Sequence, residues 1–576
     1  MKTPWIEHYD SGFKPNLNYP DLNLYEILAR TAELFPDVTA LTFEGSHISY
    51  RNLLWLTDHL SQRLLEDGVK KGDAFTICLP NTPHAVVFFY AVNKIGCIAN
   101  MVHPKTPAFE LKECMIFSES RFLVVLDAFL PKYTEFLEAD FLDKIYVASI
   151  PDFLSGIKGF GFKLTKGKAI PAPAQHPKLI CWKVIRQSFE KKPLKSYTRQ
   201  LTSYEPAVYL HSGGTTGSPK TIVLSSMNIN ILAAQGSQIV NVEDPYLTKK
   251  PSGEKMLSIL PLFHGFGLCM GLHAMIYCGM TAVLVPQFSA DALAAAVVKE
   301  KVTLIAAVPT LYEGFIKNKK LEKVSLSHLR CCFCGGDTLA PALKQSFEKF
   351  VKERGAPIPL REGFGLSETV TVSAVNPHEK CRDGSVGLPL ADILMKVVAL
   401  DTETEVPVGE NGELCISGPS AMLGYLKDEE ATKHTMRMHQ DGKIWVHTGD
   451  MGSMDADGFF YFIQRMKRVI KVSGNPVFPS RIEDVISDVA GVRLACAIPV
   501  KDDYRMHVIK AFIVAEKNID RKDYGDLEKQ IRLQCEEKLI SYAQPVKIEF
   551  RDELPLTLIG KIDFMKLEEQ ENVVEL

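Results

Sequence analysis

The chain has almost no net charge: its 576 residues set 66 Lys and Arg against 69 Asp and Glu, a formal balance of −3. That balance argues against nucleic acid as a partner, because binding a polyanion needs a broad basic surface. The N-terminal stretch M-K-T-P-W-I-E-H-Y-D has no apolar h-region, so the 13 cysteines are expected to be reduced thiols in a cytoplasmic protein, without disulfides. A zinc framework is lacking too. Cys331 and Cys334 form a single C-x-x-C inside an apolar strand-like run, with no second pair to complete a site. There is no G-x-S-x-G elbow and no convincing Ser/His pairing, so a nucleophilic side chain is not expected to carry the chemistry. One segment needs a membrane check: His264 to Pro286, 23 residues without Asp, Glu, Lys or Arg, is long enough to span a bilayer. Gly279 interrupts it and Thr281 to Val285 follows as a short strand pattern, so helix, turn and buried strand is the better reading.

What is present is ordinary globular material, 46% apolar and 23% charged, in a chain too long for one core. Residues 20 to 130 alternate two periodicities. Leu24 to Phe35 and Leu53 to Leu65 carry apolar residues at helical spacing, Ala40 to Phe43 with Ile48 to Tyr50 suggests a hairpin, and Phe75 to Leu79 and Phe122 to Leu126 suggest buried strands around a segment from Ala85 to Ile95. Strands alternating with helices imply a largely parallel sheet covered on both faces. Between about 151 and 201 the character changes to a linker-like insertion. From Lys158 to Arg199 there are eleven Lys or Arg and one acid, Glu190. A basic, aromatic-bearing stretch is able to touch anionic lipid, giving peripheral membrane contact, or the phosphates of a ligand, and is equally the pattern of a solvated surface.

The most informative stretch is Tyr209 to Lys220, Y-L-H-S-G-G-T-T-G-S-P-K. Gly213, Gly214 and Gly217 let the backbone turn tightly and present N–H groups to an anion, Ser212, Thr215 and Thr216 add hydroxyl donors, and Lys220 adds a compact mobile charge. A Walker loop would open a helix after the lysine. Here Lys220 follows Pro219 and leads into Thr221-Ile222-Val223-Leu224, so the loop is expected to join two strands and fold over phosphates. Further along, Pro261 to Gly267 (P-L-F-H-G-F-G) follows a strand, and runs ending at Val308 and Cys334 lead into Pro309 and Gly335-Gly336-Asp337, at strand ends where open α/β sheets bind ligands. Gly363 to Thr369 (G-F-G-L-S-E-T) sets Glu368 behind Gly365, with Phe364 able to stack on a base and Ser367 able to donate to phosphate. Trp445 to Asp450 (W-V-H-T-G-D) places Asp450 behind a Thr-Gly turn, and Pro555 to Asp563 (P-L-T-L-I-G-K-I-D) places Lys561 on a Gly-led turn.

In this order the segments resemble the adenylate-forming superfamily, which includes acyl-CoA synthetases, luciferases and peptide-synthetase adenylation domains. The likeness runs from about Leu24 to Asp563. It implies an α/β fold: a large N-terminal domain of mixed parallel sheets covered by helices (1–464), a hinge (465–467), and a small mobile α+β C-terminal domain (468–576). It implies ATP, magnesium and CoA as cofactors, with a carboxylic acid as the other substrate. Ser212 to Gly217 and Lys220 would hold the β- and γ-phosphates. Gly335, Gly336 and Asp337 would bracket adenine, with Phe364, Gly365 and Ser367 beside it, and Glu368 would hold magnesium. Asp450 would accept the ribose hydroxyls, Arg465 would reach ribose and phosphate, Lys467 would lie at the hinge, and Lys471 and Gly474 would belong to the face that meets CoA. Lys561 would bridge the acyl carboxylate and the α-phosphate. His264, on its own as much a capping or core-edge histidine, matches a position lining the acyl pocket.

Thr221 stands where glycine usually follows the loop lysine, the doubled Gly213-Gly214 is a variant, Gln464 stands where Gly or Asp is frequent, and Met466 is unusual beside the hinge. None of these removes a charge that the chemistry needs. The resemblance implies an acyl-CoA synthetase for medium- or long-chain fatty acids. Aryl or bile acids, a carrier-protein thiol in place of CoA, and a nucleotide-binding regulator that adenylates nothing are the alternatives. Oligomeric state is not legible in these residues.

Overall fold

The computed structural model describes residues 3–154, 170, 176–189, 194–212, 220–243, 245–468, 470–472, 475–502, 506–557 and 562–574. The chain divides into two compact units, Met1–Leu394 with Ile416–Val446, and Met395–Cys415 with His447–Leu576.

The first unit is α/β, as the alternating periodicities suggest. One sheet runs, in spatial order, through Leu388–Pro389, Ala374–Val375, Leu360–Phe364, Cys331–Cys334, Leu304–Ala307, Lys255–Ser258, Thr281–Leu284, Thr39–Phe43 and Ser46–Ser49. From Leu360–Phe364 to Thr39–Phe43 the neighbours are parallel. The other sheet runs through Gly424–Tyr425, Thr221–Ser225, Pro206–His211, Ile98–Met101, Ala74–Cys78, Phe122–Leu126, Lys144–Ala148 and Leu179–Cys181. Helix Leu24–Leu34 begins at a reciprocal cap, Asn23 accepting the Glu26 N–H at 2.9 Å while Glu26 accepts the Asn23 N–H at 2.7 Å. Helix Pro83–Lys94 buries every one of its residues. A run apolar on all sides is stable only when covered on all sides.

Two sequence expectations need revision. Part of the 151–201 stretch is not linker: Leu179–Cys181 is a strand hydrogen-bonded in parallel to Lys144–Ala148, and Trp182–Phe189 is a helix burying Trp182, Ile185 and Phe189. Three apolar residues at helical spacing outweigh the local excess of lysine. In addition, Thr448-Gly449, expected as a turn ahead of Asp450, lies with it inside an eleven-residue strand, Ile444–Met454, although Gly449 has φ of +68°. The charge-free run behaves as expected. Phe266–His273 is π-helical, Ala274–Tyr277 continues as α-helix, Gly279 turns at φ +64°, and Thr281–Leu284 is a buried strand. Among the described residues no helix is long and apolar enough to cross a membrane.

In the second unit, Ile444–Met454 pairs antiparallel with Phe460–Arg465, and Val492–Asp502, Met506–Ala515 and Lys547–Phe550 form a three-stranded sheet. Helices Pro479–Ser487 and Tyr524–Lys538 bring Ile482, Val485, Ile486, Leu527 and Ile531 into a core with Ile509, Ala511 and Ile513 of that sheet.

Two histidines, His273 and the half-buried His211, make the first unit acid-sensitive. His273, 0% exposed, meets the Tyr90 hydroxyl at Nδ1 (2.8 Å) and Asn230 Oδ1 at Nε2 (2.8 Å). Asn230 donates its amide to the Leu22 carbonyl, so its oxygen faces the ring and His273 carries its proton on Nε2. Burial pushes its pKa down to about 3, and that of His211 down to about 4. Both folded values lie below the ordinary value of about 6.5, so the unfolded chain binds more protons between them. The stability from keeping each ring neutral is complete above about pH 6.5 and is lost at about 1.4 kcal/mol per pH unit as pH falls toward the folded values. The thermal midpoint should therefore drop between pH 6.5 and 5, and drop less steeply in His273→Gln; equal slopes would contradict this assignment.

Candidate active site

The site grows from the ends of parallel strands. Pro206–His211 and Thr221–Ser225 pair antiparallel with His211 opposite Thr221, so the glycine and hydroxyl loop does connect two strands. Its neck is closed twice: the Ser212 N–H donates to the Lys220 carbonyl at 2.9 Å, and the Lys220 N–H donates to Ser212 Oγ at 3.0 Å. Beneath it, neutral His211 is held by Asn100 Oδ1 at 2.7 Å and Thr221 Oγ1 at 3.1 Å, which makes the loop's base rigid. Gly213, Gly214, Thr215, Thr216 and Gly217 lie outside the described residues. The exposed Lys220 places Nζ 4.5 Å from the centroid of the Tyr425 ring, a cation–π contact.

Glu368 lies on the short 3-10 turn Ser367–Thr369 that follows strand Leu360–Phe364. The chain then reverses sharply at Val370, with φ +68° and ψ −58°, as the Thr371 N–H bonds the Thr369 carbonyl at 2.9 Å. A β-branched residue in such a γ-turn costs about 1–3 kcal/mol and persists only where its surroundings impose it. Glycines impose it here. A Cβ on Gly265 would sit 1.9 Å from the Val370 carbonyl oxygen, and one on Gly365 would sit 1.7 Å from that of Thr371. The Glu368 carbonyl accepts the Met422 N–H at 2.7 Å, and Glu368 Oε1 accepts the Tyr425 hydroxyl at 2.7 Å. Burial and the neighbouring carboxylate hold the Tyr425 phenol far above its ordinary pKa, so it remains a donor. Phe364 is 8% exposed at the end of its strand, paired with Ala374.

The remaining first-unit residues cluster beside this turn. Gly335 follows strand Cys331–Cys334, and a Cβ there would lie 3.3 Å from the Phe266 ring and 3.5 Å from the Gly363 carbonyl oxygen. Gly336 adopts φ +83°, and Asp337, exposed, accepts the Thr338 N–H at 2.9 Å. His264 is half-buried and its Nδ1 accepts the Phe266 N–H at 3.3 Å, a local contact that fixes the start of the helix bearing Phe266. Segments Pro261–Gly267, Gly335–Asp337 and Gly363–Val370 thus converge through backbone.

In the second unit, Asp450 and Arg465 are opposite each other across the antiparallel pair, with Arg465 Nε 3.5 Å from Asp450 Oδ1. Asp450 is 3% exposed, whereas about half of the Arg465 side chain faces solvent. The adjoining strand supplies Glu413, whose carboxylate accepts the Gly449 N–H at 2.9 Å and lies 2.7 Å from His447 Nδ1, bracing the backbone that carries Asp450. The side chains of Lys467 and Lys471, together with Gly474 and Lys561, lie outside the described residues.

Two participants were not assigned from sequence. Tyr425 carries no local mark of a site residue; the available signal is that a Tyr entering a core needs a partner for its hydroxyl. Glu413 is one acid in a buried strand, Gly412–Ser417, and only the pairing shows what it braces. The glycine contacts also give a direct expectation. Gly365→Ala should lower the melting temperature and weaken ATP binding measured by calorimetry at least tenfold, because the Glu368 turn must move. Gly525→Ala, in a helix with no atom within 4 Å of the added carbon, should leave ATP binding unchanged. Equal ATP affinity in Gly365→Ala and wild type would refute the role of the contact.

Residues 28–426 match the family described as AMP-binding enzyme, and residues 481–561 match the AMP-binding enzyme C-terminal domain. A long-chain-fatty-acid CoA ligase of Bacillus subtilis is 31% identical over 99% of this chain and 98% of its own length. A probable 4-coumarate CoA ligase of Dictyostelium discoideum is 28% identical over 88% of this chain and 89% of its own. Among solved structures, an anthranilate CoA ligase in complex with anthranoyl-AMP aligns with a TM-score of 0.81 at 24% identity, covering 97% of this chain and 99% of that one. A benzoate CoA ligase from Burkholderia xenovorans aligns at 0.78 and 20% identity, covering 95% and 99%. These two likenesses concern the fold. The match over most of the chain, with its glycine-closed strand ends, establishes that this protein belongs to the AMP-binding enzyme family.

Proposed function

We propose that this chain is an ATP-dependent acyl-CoA synthetase acting on a medium- or long-chain fatty acid. In the first step a carboxylate oxygen attacks the α-phosphorus of ATP, the bond to the β-phosphate bridging oxygen breaks, and pyrophosphate leaves. In the second, the CoA sulfur attacks the acyl carbon, its proton passes to solvent or base, and AMP leaves. The observation that carries this reading is the convergence in one unit of a polyphosphate-type loop neck, the cation Lys220 and the carboxylate Glu368, joined through Tyr425. Family membership and the near full-length likeness to the Bacillus ligase support it.

Each residue's proposed task is the one the family resemblance implies. Two anions must meet, so cations and positioning supply most of the rate. Ser212 to Gly217 and Lys220 hold the β- and γ-phosphates; Gly335, Gly336 and Asp337 bracket adenine, with Phe364, Gly365 and Ser367 beside it. Asp450 accepts the ribose hydroxyls, and Arg465 adds charge near ribose and phosphate. His264 and the helix from Phe266 wall the acyl chain, in a run that holds no formal charge up to Pro286. Glu368 fits a magnesium site: its carboxylate is oriented by one hydroxyl at Oε1 and, among the described residues, no cation neutralises it. Magnesium, when bound, would offset charge on the departing pyrophosphate. We further propose domain limits at 464 and 468, with Lys467 as the hinge that carries Lys561 toward the acyl carboxylate and away again before the thiol enters.

Two measurements test the reading. Labelled pyrophosphate should enter ATP when a fatty acid is present, and Lys561→Ala should lower that exchange at least a hundredfold with an unchanged melting temperature; undiminished exchange would remove Lys561 from the adenylation step. Mass spectrometry of products from an acid panel should show free acyl-CoA with the highest kcat/KM for aliphatic chains. A preference for benzoates or cinnamates would overturn the aliphatic assignment, and loading only of a carrier protein would overturn CoA as acceptor.

A further inference from the structure

Lys220 and Glu368 carry opposite charges at the same site, yet no ion pair joins them among the described residues. Tyr425 contacts both. Its ring lies under the ammonium, with the centroid 4.5 Å from Nζ, and its hydroxyl donates to Glu368 Oε1 at 2.7 Å. The backbone carrying it is tied to both partners. Strand Gly424–Tyr425 pairs with Thr221–Ser225, Tyr425 opposite Ile222, and the Leu426 N–H donates to the Thr221 carbonyl at 2.8 Å, one residue beyond Lys220. On the other side the Met422 N–H donates to the Glu368 carbonyl at 2.7 Å. Thr432 Oγ1 accepts the Tyr425 N–H at 2.9 Å, and its side chain packs on Gly424, whose φ of +144° is open to glycine.

We propose that Tyr425 is a positioning residue for metal and nucleotide: its hydroxyl aims the Glu368 carboxylate at the divalent cation, and its ring keeps Lys220 beside the phosphates and apart from Glu368. The inference rests on the reading of Glu368 as the carboxylate that holds the cation. A hydrogen bond to one oxygen fixes the plane of a ligating carboxylate, and the loss of such outer partners typically weakens metal binding by about 10- to 100-fold. The aromatic face adds an attraction for Lys220 that depends on the ring and not on the hydroxyl. The two functions are therefore separable by substitution.

The test uses Mn2+ as the probe, counted by electron paramagnetic resonance with the full chain and α,β-methylene-ATP, which cannot be adenylated onto an acid. Tyr425→Phe, which keeps the ring, should weaken Mn2+ binding about tenfold or more, while leaving metal-free nucleotide affinity in EDTA within twofold of wild type. Tyr425→Leu should weaken both. If Tyr425→Phe binds Mn2+ as wild type does while Glu368→Gln does not, Tyr425 is only a structural residue and the proposal falls, with the reading of Glu368 intact. If Glu368→Gln also binds Mn2+ as wild type does, that reading falls and takes the proposal with it.

Discussion

Carbonyl oxygens pressed against glycine α-carbons hold the first unit's site together. Where Gly265 meets Val370 and Gly365 meets Thr371, the approach is closer than any side chain would permit. Backbone packed on backbone has few alternative arrangements, so the turn carrying Glu368 is held by geometry and not by side-chain rotamers. The unfavourable φ of Val370 is the local cost of this arrangement. It places a carboxylate near the end of the sheet that also presents Gly335 and Gly336, and beside the strand that delivers Lys220.

The chemistry explains why such rigidity is useful. A triphosphate and a carboxylate repel one another, and water screens a loosely placed cation that would bring them together. Fixed groups keep their effect because they need not reorganise as charge moves from acid to phosphate. The same logic applies in the second unit, where Glu413 ties the Gly449 N–H and His447 into one buried array behind Asp450. A carboxylate on a braced strand is better oriented than one on an exposed turn.

Much of this was legible in the chain. Periodicity alone located Leu24–Leu34, Thr39–Phe43, Tyr50–Glu66 and Ala74–Cys78 to within a few residues, because each buries a regular apolar face. Lys220 followed by β-branched residues correctly indicated a loop between strands. Thr448-Gly449 was misread as a turn ahead of Asp450 because Thr-Gly is common turn chemistry, whereas cross-strand bonding to Phe460–Arg465 decides the outcome. The strand and helix at Leu179–Phe189 were hidden by surrounding lysines and prolines. Tyr425 could not be placed beside Glu368 from local pattern, since 57 residues separate them and only the pairing of Gly424–Tyr425 with Thr221–Ser225 joins the two.

The most direct measurement is a crystal structure of the full chain with α,β-methylene-ATP and a divalent cation. The account requires the phosphate tail to contact Ser212 and Lys220, the cation to lie on Glu368, and the adenine to lie along Gly335 and Gly336. A nucleotide bound elsewhere, or one whose phosphates touch neither Lys220 nor a cation on Glu368, would contradict it.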